Sequence, residues 1–368
     1  MCMASCFRWW RALDAAATRR DVLKGALALP AVVAGCATTR GSDATGRAVL
    51  ADALSVDLHA HPALSTTFSS TTIAEHARDV DAGQVGAVFL AAVGDGPALS
   101  LRATGAPYAA RQPAPGVLLA SAWRQLDILR GHASALGMRP LLSRSDLAAA
   151  ERAHTRAAVM AVEGCDFLEG RLENVQAAYD RGVRSLQLVH YRINELGDIQ
   201  TEPPVHNVLT PFGRDVVREM NRLGLVVDLA HATYAVAAGA VDASSRPTIV
   251  SHTNIQDYTG YARFVTPDHA RLVASHGGVL GAWPISIRPA GFDTFIDHIK
   301  RMADTVGIDH VGIGTDMGGV SARSVLFTSY ARWPSIPAAL LDRGFARDDV
   351  AKIMGGNARR VLDAVLPA

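Results

Sequence analysis

From residue 53 onward, short apolar runs rich in β-branched residues alternate with stretches whose apolar positions recur at helical spacing. The runs are ALSVDLHA (53–60), GAVFLAAV (86–93), AAVMAVEG (157–164) and RSLQLVHY (184–191), then LVVDLAH (225–231), PTIVSHT (247–253), GVLGAWPI (278–285) and HVGIGTD (310–316). Between them, TPFGRDVVREMNRLG (210–224) predicts a helix with Thr210 as N-cap and Pro211 at its first position. FDTFIDHIKRMADTVG (292–307) predicts another, ended by a glycine. Strands alternating with helices over about 315 residues predict an α/β protein, a (β/α)8 TIM-type barrel forming one catalytic domain from 53 to 368. A doubly wound open sheet is the other arrangement of such units, but no G-x-G-x-x-G follows the first run.

Polar residues interrupt these runs mostly at their ends. His59 and His61 close the first, Glu163 the third, His190 the fourth, His231 the fifth, His252 the sixth and Asp316 the eighth. In a barrel of this kind the C-terminal strand ends share one face, and that face carries the active site. Alone, each would read as a solvated strand end or a hydrogen-bonded core histidine; together they predict one cluster of imidazoles and carboxylates. The i, i+2 spacing of His59 and His61 puts both on one side of a strand, where they can share a cation. Imidazole with carboxylate suits zinc or a similar divalent ion. Two adjacent dications need an anionic bridge, because they repel strongly. A carboxylated lysine could serve, but the three lysines, Lys24, Lys300 and Lys352, lie away from every strand end, which leaves Glu163 as the bridge. His76, His132, His154, His269, His276, His298 and His310 lack this placement and are expected at the surface; His206 lies in a long loop.

The first 36 residues are set aside from the fold. TRRDVLKGALALPAVVAGC pairs Arg19-Arg20 with a short apolar stretch, as a Tat-type export signal does, and VAGC resembles a lipobox that would acylate Cys36. Residues 37–52 read as a tether, and the destination would be the periplasm or a membrane facing it. With Cys2, Cys6 and Cys36 in the leader, Cys165 remains as the one thiol of the domain, so no internal disulfide is expected. A net charge of +1 gives no reason to expect nucleic acid as a partner.

MAVEG, RSLQLVH, LTPFGRDVVREMNRLGLVVDLAH, IVSHT, HVGIGTD and GGNARRVL together resemble the membrane dipeptidase (renal dipeptidase) family, the M19 group of zinc peptidases in the amidohydrolase superfamily, from about residue 53 to the C-terminus. The resemblance implies two zinc ions per chain, one held by His59, residue 61 and Glu163, the other by Glu163, His231 and His252. It implies that a hydroxide shared by the metals hydrolyses a dipeptide. His190 would lie beside the substrate, Arg263 would meet its carboxylate and Asp316 would handle the proton. The family pattern reads H-x-D on the first strand, so His61 is a departure that removes one negative charge; GTDMGG also lacks a second acid often found after the aspartate. Two loops, 94–116 and 191–209, are long enough to act as lids. Two rivals stand beside the dipeptidase. One is a mononuclear amidohydrolase or deaminase, although Tyr234 stands where such enzymes carry a glutamate. The other is a lipid-tethered binding protein without turnover. The L or D preference is not legible, and a homodimer is left open.

Overall fold

The structure, a computed structural model, describes residues 35–52, 54–62, 73–256, 260–285, 291–320, 326 and 329–368. The chain divides into two units, 1–41 and 42–368. Of the first unit, only the backbone from Gly35 is described. Most of the expected leader, Arg19 and Arg20 included, lies outside the described residues, as does the side chain of Cys36.

In the second unit all eight expected strands form. They are β1 (Val56–Ala60), β2 (Ala87–Val93), β3 (Ala157–Glu163), β4 (Val183–Gln187), β5 (Val226–Asp228), β6 (Ile249–Thr253), β7 (Val279–Ala282) and β8 (Val311–Ile313). Each pairs in parallel with the next, and β1 pairs with β8, which closes the barrel; a two-residue strand, Arg139–Pro140, adds to β3 from outside. Side chains alternate as period two requires. Leu58, Phe89, Val159, Val226, Ile249 and Val279 fill the barrel interior, which Val361 and Leu362 of the last helix, Asn357–Val365, also join. Val88, Leu90, Met160 and Val162 face the surrounding helices.

The caps read from sequence also form. Thr210 accepts from the Gly213 N–H at the start of helix Pro211–Leu223, and Gly224 ends it at φ 79°. Helix Phe292–Val306 is followed by Gly307 at φ 86°.

Two expectations need correcting. Residues 37–52 end in a helix, Gly35–Leu50, and from Asp43 on it is docked on the barrel unit rather than free as a tether. Ser335 Oγ donates to Asp43 at 2.9 Å, Arg47 donates to the Ala82 carbonyl at 2.7 Å, and Val49 and Leu50 are buried. The apolar pair is the physical reason, since its burial favours docking. Among the histidines expected at the surface, His76, His132, His269 and His298 are buried. They lie on inward faces of amphipathic helices, where an imidazole can substitute for an apolar ring.

Candidate metal centre

The strand ends do converge. His59 lies within β1 and His61 follows it, Glu163 ends β3, and His252 lies within β6; His190, His231 and Asp316 fall three residues beyond their strands. Two irregularities aim the imidazoles. The register of β1 against β2 shifts between Asp57 and Ala60, and that of β6 against β7 shifts before Thr253. Such shifts turn side chains to the other face. His59 and His61 can thus point into the mouth above Val56 and Leu58, which pack inside the barrel. His231 and Asp316 adopt φ of 67° and 52°, a left-handed backbone that costs such residues about 1–3 kcal/mol and is found mainly where function holds it.

Glu163 is at the centre. Its Oε1 lies 3.4 Å from His59 Nε2, 3.3 Å from His231 Nε2 and 3.7 Å from His252 Nε2. Its Oε2 lies 3.2 Å from His61 Nε2 and 3.3 Å from His190 Nε2. Two trios result, His59/His61/Glu163 and Glu163/His231/His252, each with its ligand atoms within 4.8 Å of one another, and all five residues are buried. Within the trios, the Nε2 atoms of His59 and His61 are 3.0 Å apart and those of His231 and His252 are 3.2 Å apart. Ligands at about 2.0–2.1 Å around a tetrahedral zinc would stand about 3.3 Å apart, so the spacing fits.

The hydrogen bonds favour the same occupant. His61 Nδ1 lies 2.8 Å from the Ala91 carbonyl and must donate to it. In the neutral ring, Nε2 then turns a bare lone pair toward Glu163. A lone pair facing a carboxylate calls for a cation between them. Ser251 Oγ reaches Nδ1 of both His252 and His59, at 3.0 and 3.4 Å, and fixes their rings in turn. Burial, with the Arg263 guanidinium adding to it, holds His231 well below the usual imidazole range, hence neutral as a ligand must be. Burial pushes the Glu163 carboxyl up, but His190 and His59 outweigh it and keep the group ionised.

Around this centre lie the remaining candidates. His190 Nδ1 is 2.7 Å from Asp95 Oδ1, and the same carboxylate accepts from the Tyr191 N–H at 3.0 Å. Burial opposes protonation of His190, yet Asp95 and Glu163 raise it to about 9. Asp316 Oδ1 lies 3.5 Å from His61 Nε2, and burial raises its pKa to about 6 against the pull of His59 and His61. Gly319 is required there, because a Cβ would come within 1.9 Å of Asp316 Oδ1. Arg263 is buried; it donates to Gln200 and lies 3.0 Å from His252 Nε2. A cation at the second trio and that Arg263 contact compete for one lone pair.

Asp95, Ser251 and Gln200 escape the sequence reading. Asp95 follows β2 directly, so strand-end placement could have found it; an ordinary serine and glutamine carry no such signal. Tyr234, the position a deaminase would give to glutamate, is half exposed and not in the cluster. His206 is exposed; its ring bonds the Asn194 carbonyl and its backbone N–H bonds Asp198, so it is not part of the cluster.

The family model for the membrane dipeptidases (peptidase family M19) matches residues 44–367. The chain belongs to that family. Among curated members, dipeptidase tcpJ from Claviceps purpurea is 35% identical over 217 residues, 57% of this chain and 51% of its own length. Dipeptidase aclJ from Aspergillus oryzae is 29% identical over 218 residues, 56% and 51% of the two chains. The chain spans about half the length of the curated relatives it matches. Two solved structures share the fold. The probable dipeptidase PvdM from Pseudomonas aeruginosa superposes with TM-score 0.74 at 19% identity, over 89% of this chain and 99% of its own. A Rhodobacter sphaeroides metallopeptidase liganded with a phosphinate mimic of the dipeptide L-Ala-D-Ala gives 0.69 at 19%, over 85% and 100%. In this chain the first trio includes His61, at the position where the resemblance led to an aspartate being expected.

Proposed function

We propose that the protein is a zinc dipeptidase holding two cations across Glu163. The observation that carries the reading is the division of one buried carboxylate between two imidazole pairs whose ring nitrogens face one another. His59, His61 and Glu163 would hold one cation, and Glu163, His231 and His252 the other. When bound, such a pair supplies Lewis acidity and an acidified water.

The chain's own residues do the rest. Asp95 takes the Nδ1–H of His190, so the ring presents its Nε2–H beside Glu163, where it can donate to the oxyanion of an attacked peptide carbonyl. A preorganised donor of that kind contributes about 3 kcal/mol to the barrier. Asp316, raised toward neutrality, accepts a proton from water and returns it to the leaving amine. Arg263 is held against Gln200 and His252 in this structure; once a cation at the second trio took the His252 lone pair, its planar fork would be free to turn to the carboxylate of a short substrate. In this reading the protein is exported through the Arg19-Arg20 signal and tethered at an acylated Cys36.

The deciding experiment measures metal content and hydrolysis together. Full-length protein should bind two zinc ions per chain and cleave dipeptides, and E163Q should lose both. One ion per chain, or an E163Q protein with full activity, would overturn the bridge.

A further inference from the structure

The mouth opens into a cavity of about 670 Å³ with apolar residues on two sides, Trp283 and Ile285 after β7 and a second group beyond β2. The loop after β2 forms a hairpin, Leu99–Leu101 paired with Pro107–Ala109. Leu99 and Leu101 line the cavity together with Val93 and with Ile128 of helix Val117–Ala135. Leu101 is 40% exposed and Ile128 51%. Large apolar side chains left uncovered at a cavity wall add little to folding and are typical of a contact surface. The polar residues on this side, Ser100, Thr104, Ser121 and Gln125, are all uncharged. Gln125 is already committed, bonding both the N–H and the carbonyl of Val93. Among the described lining residues, the only carboxylates are Glu163 and Asp316, and no lysine or arginine takes part.

Closure of the barrel fixes where this wall lies. β2 and β6 are four strands apart in a ring of eight, hence diametrically opposed. His252 comes from β6 and Arg263 from the loop after it. We infer that the hairpin side is an apolar subsite for the side chain on the amine side of the scissile bond, so that preferred substrates are dipeptides beginning with a bulky uncharged residue such as leucine or phenylalanine. The inference rests on the dipeptidase reading above, with the substrate carboxylate on the β6 side, where Arg263 stands behind the cavity wall rather than in it. A charged first residue would leave water without finding a partner on this wall.

The test compares kcat/KM of the metal-loaded protein for Leu-Ala, Phe-Ala, Gly-Ala, Asp-Ala and Lys-Ala. Leu-Ala and Phe-Ala should lead by about tenfold or more. In L101S and I128S, whose sites are exposed enough to spare the fold, the ratio of Leu-Ala to Gly-Ala should fall several-fold. Calorimetry with phosphinate pseudo-dipeptides carrying isobutyl or hydrogen at the first position reads the same preference without turnover. Cleavage with no preference, or with Gly or charged residues favoured, would overturn the subsite and leave the dipeptidase reading standing. No cleavage, with the isobutyl compound still bound more tightly, would retain the subsite and overturn hydrolysis. Equal binding of the two compounds without cleavage would overturn both.

Discussion

His190 is held between two carboxylates, and the one on its far side, Asp95, is fully buried. Asp95 touches the ring and not the cluster, so it acts by positioning. D95N keeps the shape, but the Tyr191 N–H claims the remaining amide oxygen and turns the NH2 group, a donor, toward His190 Nδ1. It should lower kcat about ten- to a hundredfold with KM little changed, and nitrogen NMR of the ring should show the other tautomer. An unchanged tautomer would remove that role. A second outcome concerns His59, whose protonation burial opposes but Glu163 sustains, raising its pKa to about 9 in the metal-free protein. A cation needs that lone pair. Uptake below about pH 9 should therefore release a proton, and affinity should weaken about tenfold for each pH unit lowered. Calorimetry in two buffers of different ionisation enthalpy checks this; zero proton release at neutral pH would contradict it. At this scale the sequence was readable where chemistry sat at a strand end, as for His59, Glu163 and Asp316. It was silent where an ordinary residue such as Ser251 or Gln200 serves through a contact across the fold.

Among the elements, strands and caps were legible because period two, N-cap threonine and C-terminal glycine act locally. The register shifts in β1 and β6 were not, since a slipped pair exists only once its partner strand is in place. The buried helix histidines were misread for a related reason: polarity suggests solvent, but the neighbouring elements decide. Their burial has a measurable cost in acid. Burial lowers His269 to about 4 and His76 to about 3, against 6.5 for the free imidazole. The unfolded chain thus takes up protons near pH 6.5 that the native state refuses, and stability falls as pH drops from there toward 4. Each such histidine contributes a slope of about 1.4 kcal/mol per pH unit. Among the described residues His269 Nε2 has no hydrogen-bond partner, so H269L should flatten the pH dependence of the urea midpoint by about one proton. An unaltered slope would place the effect elsewhere.

For the molecule as a whole, the barrel and its mouth followed from the order of eight runs, whereas the covering of the mouth did not. Both loops expected as lids contribute to the cavity wall, the first through its hairpin and the second through Tyr191. They are joined: Arg102 of the hairpin pairs with Glu202 of the other loop and also stacks over Tyr108 at 4.6 Å. Both partners of the ion pair are partly exposed, so the link is worth at most about 1 kcal/mol and weakens with salt. If loop parting limits turnover, kcat should rise modestly with ionic strength in the natural protein and lose that dependence in R102A; a dependence that persists in R102A would separate the pair from the rate. The two coverings are thereby latched to one another by a single exposed ion pair, a fastening whose grip dissolved salt alone is enough to loosen.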